Sequence, residues 1–154
     1  MGDHPSEPNY IWAEAGTTFG IANDDDPCTD NPTNEQSTHQ HLTAFLMEKH
    51  LSWKSYQEDT DIDYSDNAVL PTWDESEGGD DPSRTLPFIV ISKDAHPNVG
   101  GLPYAATTEY SHSSTLRTMQ EVFDVDPDHG FPFLGDAINA NDLTAMFKPG
   151  VVRR

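Results

Sequence analysis

Apolar residues recur at helical spacing in three stretches of the chain. Leu42, Phe45 and Leu46 share a face that Lys49 extends, and Ser37-Thr38-His39-Gln40 ahead of them has capping-box spacing, which predicts a helix over residues 38–50. Leu116, Met119 and Phe123 predict a second over 114–123, capped by a serine. Leu143, Met146 and Phe147 predict a short third over 141–147, with Asn141 as cap and Pro149-Gly150 as stop. Near the start, Pro8 disfavours helix at Glu7, so a helix running into Tyr10-Ile11-Trp12 is expected to begin at or after Pro8, with Ser6 on the turn before it.

Other apolar runs read as extended. Residues 51–56 alternate, residues 68–73 and 86–92 are short apolar runs bounded by Gly, Pro and Asp, and Phe88-Ile89-Val90-Ile91 is β-branched enough for a buried strand. Residues 24–34, 57–67, 75–81 and 93–112 are polar or punctuated by glycine and proline, and read as loops. Strands alternating with helices predict an α/β layer in a single domain over residues 1–154.

Charge narrows the function. The chain has 27 acidic and 8 basic side chains among 154 residues, a net charge of −19. Such a surface repels nucleic acid and anionic lipid headgroups, so neither is an expected partner. The acid excess suits a halophilic protein, kept hydrated and dispersed where salt screens self-repulsion. Low hydrophobicity with high net charge is also the signature of disorder, against which stand three Trp, seven Phe and five Tyr. No apolar run approaches the roughly 18 residues that cross a bilayer, and the first residues do not read as a secretory leader. Cys28 is the single cysteine, so no internal disulfide is expected.

Three pieces carry candidate chemistry. His4-Pro5-Ser6-Glu7-Pro8-Asn9-Tyr10 places a hydroxyl ahead of a helix start, where backbone N–H groups can receive an anion. Thr72-Trp73-Asp74-Glu75 puts two carboxylates at the end of a candidate strand, and Tyr110-Ser111-His112-Ser113-Ser114 puts an imidazole immediately before a helix. Each alone fits a turn, a solvated edge or a cap. Together, a hydroxyl, two carboxylates and an imidazole are the parts of a metal-assisted phosphoryl-transfer site.

Residues 3–16, Asp24-Asp25-Asp26-Pro27-Cys28, residues 51–59, Thr72-Trp73-Asp74-Glu75, residues 112–118, Leu134-Gly135-Asp136-Ala137 and Asp142-Leu143 run collinear with a known pattern. In them the chain resembles the phosphoesterase family of phosphatidylcholine-type phospholipases C and acid phosphatases, of the alkaline-phosphatase-like superfamily. The resemblance implies a reduced, mostly parallel central sheet flanked by helices, and a hydrolase of phosphoric esters, phospholipid headgroups included. It implies Ser6 as nucleophile and metal contact, Asn9 on a phosphoryl oxygen, Asp74 and Glu75 as ligands of a divalent Zn, Mn, Mg or Ca, and His112 beside metal or phosphate. It also implies secretion, although no leader is visible.

Departures from the family pattern bear on activity. A Glu-Asn metal-binding pair expected earlier is not found before Met1, and a stretch supplying an Asp and a His is missing between residues 57–59 and 72–75. A sheet lacking its first strand would expose an edge and invite homo-oligomerisation. A catalytically inactive relative serving as an acidic binding or assembly subunit is the alternative expectation.

The remaining candidates read as structural. His39 and His41 lie about 200° apart around a helix and cannot clasp one ion from a common face. Asp24-Asp25-Asp26 lacks the alternating spacing and glycine of a calcium loop. His4 lies close to Ser6 and fits either a phosphate donor or a turn. His50, His96 and His129 have no partner evident in the sequence.

Overall fold

A computed structural model describes residues 5–26, 29, 34–53, 68, 70–73 and 86–152. Three α-helices order them: α1 (Glu7–Ala15), α2 (Leu42–Glu48) and α3 (His112–Val122), followed by 3-10 turns at Pro127–His129, Gly135–Asn139 and Thr144–Met146.

Each helix ends where the backbone turns left-handed. α1 stops at Gly16, whose N–H donates to the Trp12 carbonyl. α2 and α3 stop without glycine. His50 (φ 61°) and Asp124 (φ 54°) take the left-handed position. Leu51 N–H then reaches back to Leu46 O and Val125 N–H to Gln120 O, both at 2.8 Å, which satisfies carbonyls the helices leave open. Lys49 joins these two ends, with its Nζ 2.7 Å from the Asp124 carbonyl and 3.3 Å from the Asp124 carboxylate.

The starts of the helices differ from the sequence expectation. α1 includes Glu7, because Pro8 falls in the first turn, where its missing N–H leaves no hydrogen bond unmade. α2 begins at Leu42, later than the expected 38, and is capped by the His41 ring rather than by Ser37. His41 and His39 both precede the helix. Glu14 of α1 completes that cap, accepting the Thr43 N–H at 2.8 Å and the Thr43 hydroxyl at 2.6 Å. α3 begins two residues earlier than expected, with Ser111 N–H donating to the Ser114 hydroxyl. The expected helix over 141–147 is one 3-10 turn, whose Thr144 N–H is taken by Asp142 rather than Asn141.

The expected central, mostly parallel sheet flanked by helices is not present among the described residues, and neither is the exposed sheet edge inferred from it. Residues 72 and 88, 95 and 147, and 99 and 102 form isolated antiparallel bridges, and no strand is formed among the described residues. A parallel strand is covered on both faces. In the 88–91 segment only Phe88 and Val90 pack inward, against Leu143, Phe147 and Val152, while Ile89 and Ile91 remain 50% and 47% exposed. The β-branched run that predicted a buried strand instead packs one face down on a 3-10-rich segment.

The main core joins α2 to α3 through Phe45, Leu46, Leu116, Val125, Leu134 and Ala137. Gln120, fully buried in its midst, ties the loop after α3 together. Its amide donates to Val125 O and Pro132 O, and its carbonyl accepts Leu134 N–H at 2.9 Å. The strap so held receives the end of α1. Asp136 N–H donates to Gly16 O at 2.9 Å, and a Cβ on Gly16 would collide with the Leu134 carbonyl, as one on Gly135 would with the Gly16 carbonyl.

Glu121 is, with Asp126, a buried charged residue of this interior, its side chain 9% exposed. It lines a cavity of about 420 Å³ together with Arg117, Asp126, Asp128, Phe133 and Asp142. One carboxylate oxygen accepts from Arg117 Nε at 2.9 Å, and the other is buried with no hydrogen-bond partner. Arg117 stacks over Phe133 at 4.6 Å and also donates to the Ile138 and Ala140 carbonyls. Burial raises the Glu121 pKa above 4.5, with Asp142 and Asp126 adding to the rise and Arg117 opposing it.

Two outcomes follow from this packing. Gly16→Ala and Gly135→Ala are expected to cost about 2–4 kcal/mol in urea unfolding, against about 1–2 kcal/mol for Gly20→Ala, which has a left-handed backbone but open space around it; equal losses at all three would contradict the interlock. A carboxyl that binds its proton more tightly folded than unfolded favours folding at low pH. Its contribution is therefore lost as pH rises from 4.5 through the raised folded value. Glu121→Gln should flatten stability against pH across that range, and an unchanged slope would refute the assignment.

Candidate functional site

The start of α1 is built by residues far from it in sequence. Ser6 is the N-cap, half-buried, and its carbonyl accepts the Asn9 N–H at 3.0 Å. The Glu7 N–H, one of the groups expected to receive an anion, donates to the Asp24 carboxylate at 2.7 Å. Asp24 therefore occupies the helix start with a charge of its own, consistent with the preference of helix N-termini for anions.

Asn34 fixes the loop that presents Asp24. Buried, it directs its amide nitrogen to Asn23 Oδ1 at 2.7 Å, to the Asp25 carbonyl at 3.0 Å and toward Glu7 Oε2 at 3.4 Å. Asn9 is also buried, and its side-chain nitrogen donates to the Pro5 carbonyl at 3.2 Å. Nothing in the local sequence marks Asp24 or Asn34 for these roles. The acid triplet read as a solvated loop, and the pairing spans 17 residues.

His112 is the first residue of α3 rather than the residue before it, and is half-buried. Ser113, next to it, is buried and accepts the Trp12 indole N–H at 2.7 Å. The contacts come in the same order along both helices. Trp12 meets the start of α3, while Gly16 meets the strap that Gln120 of α3 holds. Trp12 thereby joins the helix that carries Ser6 and Asn9 to the first turn of the helix that His112 opens.

Asp74 and Glu75, the two carboxylates expected to bind metal, lie outside the described residues, as do His4 and Cys28. Among the described residues no group of three or more His, Cys, Asp or Glu side chains is arranged to hold a metal ion. Ser6 and His112 with their described neighbours do not by themselves fit a divalent cation, and no chemical step is assigned to one. Two histidines without evident partners in the sequence have them in the fold. His129 Nδ1 lies 2.7 Å from the Asp126 carboxylate, and His96 stacks on Tyr104 at 3.8 Å. No helix among the described residues is long and apolar enough to cross a membrane.

Comparison with known proteins bears on the same segment. The phosphoesterase family model matches residues 2–79, which take in Ser6, Asn9, Asp74 and Glu75 but not His112. Over 56 residues the chain is 41% identical to the phosphate-repressible acid phosphatase of Penicillium chrysogenum, a match covering 36% of this chain and 12% of that protein. No solved structure matches the chain. With half of its length matched by the family model, from the turn at Ser6 through the paired carboxylates, the chain belongs to the phosphoesterase family.

Proposed function

We propose that this chain hydrolyses phosphoric esters with Ser6 as nucleophile. The observation that carries the reading is the position of Ser6 at the start of α1, inside the family match, on a helix tied to the one that His112 opens. The acid phosphatase it partly matches supports a phosphomonoester as substrate. Phosphodiesters of the phospholipid-headgroup kind are the second substrate class to test.

In the proposed reaction the Ser6 hydroxyl oxygen attacks phosphorus and the bond from phosphorus to the ester oxygen breaks. The seryl proton passes to a base and the departing alkoxide takes up a proton, leaving a phosphoseryl ester that water cleaves to inorganic phosphate and free serine. His112 is proposed to stabilise a phosphoryl oxygen or protonate the leaving group, and Asn9 to steady a phosphoryl oxygen once its side chain turns from Pro5. The positive ends of α1 and α3 favour the charge that develops. Asp74 and Glu75 are proposed from the sequence to hold a divalent cation of the Zn, Mn, Mg or Ca kind, which would supply a positive centre for phosphate.

The Asp24 carboxylate on the Glu7 N–H favours a second reading. It fills a place a phosphoryl oxygen would need, as expected of a catalytically inactive relative that serves as an acidic binding or assembly subunit.

A chromogenic phosphomonoester and a chromogenic phosphodiester, each offered with Zn, Mn, Mg, Ca or a chelator, separate the two. The hydrolase reading expects turnover that chelator removes and that Ser6→Ala lowers by about 1,000-fold or more. No turnover with any cation, or turnover unchanged in Ser6→Ala, supports the second reading. Because the chain carries a charge of −19, kcat/KM for an anionic ester should rise with salt as the screening length falls from about 10 Å at 0.1 M to about 3 Å at 1 M. A fall with salt would contradict repulsion between substrate and surface.

A further inference from the structure

We propose that Trp12 and Ser113 are positioning residues, whose hydrogen bond holds the helix carrying Ser6 and Asn9 in register with the helix that His112 opens. This rests on the hydrolase reading and extends it to residues that touch no substrate.

The bond joins positions 101 residues apart at 2.7 Å, and its acceptor Ser113 is 1% exposed. An indole nitrogen is only a donor, and a partly buried one needs an acceptor. Ser113 follows His112 directly on α3, so holding its side chain sets the rotation of the first turn that presents the imidazole.

The other end of α1 is held separately. Gly16 sits against Leu134 and Gly135 with its carbonyl bonded to Asp136 N–H. A helix held only there could rock. Ser6 lies ten residues away, a lever of about 15 Å, so rocking by about 4° moves it about 1 Å, and a displacement of that size can cost about 100-fold in rate. The Trp12 indole grips α1 between the pivot and Ser6. The Glu14 contacts to Thr43 tie α1 to α2, while α1 also packs along α3, and the Trp12 indole adds a directional bond to that packing.

The test is a double-mutant cycle on the full chain with Trp12→Phe, Ser113→Ala and the two combined, read by kinetics and by NMR. The single changes are expected to lower kcat about tenfold with KM within about twofold, and the combination to be no worse than the more severe single change, as for two halves of one bond. The combined variant also leaves no buried donor unpaired, which guards against simple unfolding. Independent losses that multiply, or kcat unchanged in either single variant, would overturn the proposal.

The NMR arm needs no turnover. In 15N-labelled protein, Ser113→Ala should speed exchange of the Trp12 indole N–H at least tenfold, the direction expected when a shielded bond is lost, and should shift the Ser6 and Asn9 amides together with the His112 imidazole. Unchanged exchange, or shifts confined to Trp12 and Ser113, would overturn it. Absence of turnover in the unsubstituted protein counts against the hydrolase reading alone, and the NMR arm then decides whether the bond positions the helix.

Discussion

The close approach of Gly16 and Gly135 is the constraint from which the described fold is built. Neither residue tolerates a Cβ, since the Leu134 carbonyl occupies the space a side chain on Gly16 would need and the Gly16 carbonyl the space one on Gly135 would need. With those two carbonyl-bearing turns in contact, the end of α1 lies on a strap that Gln120 has already bonded to α3. The first helix is thereby attached to the third across more than a hundred residues. α2 then adds to the pair through Glu14 at its start and Lys49 at its end. Polar contacts at helix ends do much of the joining here, as suits a chain whose apolar content is 34%.

Helical spacing in the sequence carried real information. The face containing Phe45 with Leu46 is buried, because an amphipathic stripe needs no distant information to be recognised. Of the expected α3 stripe, by contrast, only Leu116 is buried, Phe123 is 41% exposed, and Ser113, Ser114, Thr118 and Gln120 line the buried side instead. Helix ends were less legible. His50 and Asp124 take backbone conformations that favour glycine, and His41 caps a helix although serine and threonine stand close before it. In each case the deciding partner, such as Leu46, Asp124 or Glu14, is fixed by the assembled fold.

The sheet was misread for a physical reason that the 86–92 segment makes plain. A short β-branched run is compatible with a buried strand and equally with an extended segment lying one face down. Here the second arrangement holds, with Phe88 and Val90 down on Leu143 and Phe147. Family membership itself was legible, since the motifs around Ser6 and around Asp74 and Glu75 fall in the matched residues. The contact at the start of α1, from the Asp24 carboxylate to the Glu7 N–H 17 positions away, was not.

Electrostatics sets the terms for any anionic substrate. The surface repels it, Arg117 is committed to Glu121, Phe133 and two carbonyls, and the first N–H of α1 already serves Asp24. What remains attractive is the positive end of a helix, at α1 and at α3. The most direct measurement is a titration of labelled protein with inorganic phosphate at high salt, following the Ser6 and Asn9 amides and the His112 imidazole in the same spectra. Concerted shifts of all three with one dissociation constant are the predicted result. Phosphate that moves only one helix start, or neither, would contradict the account.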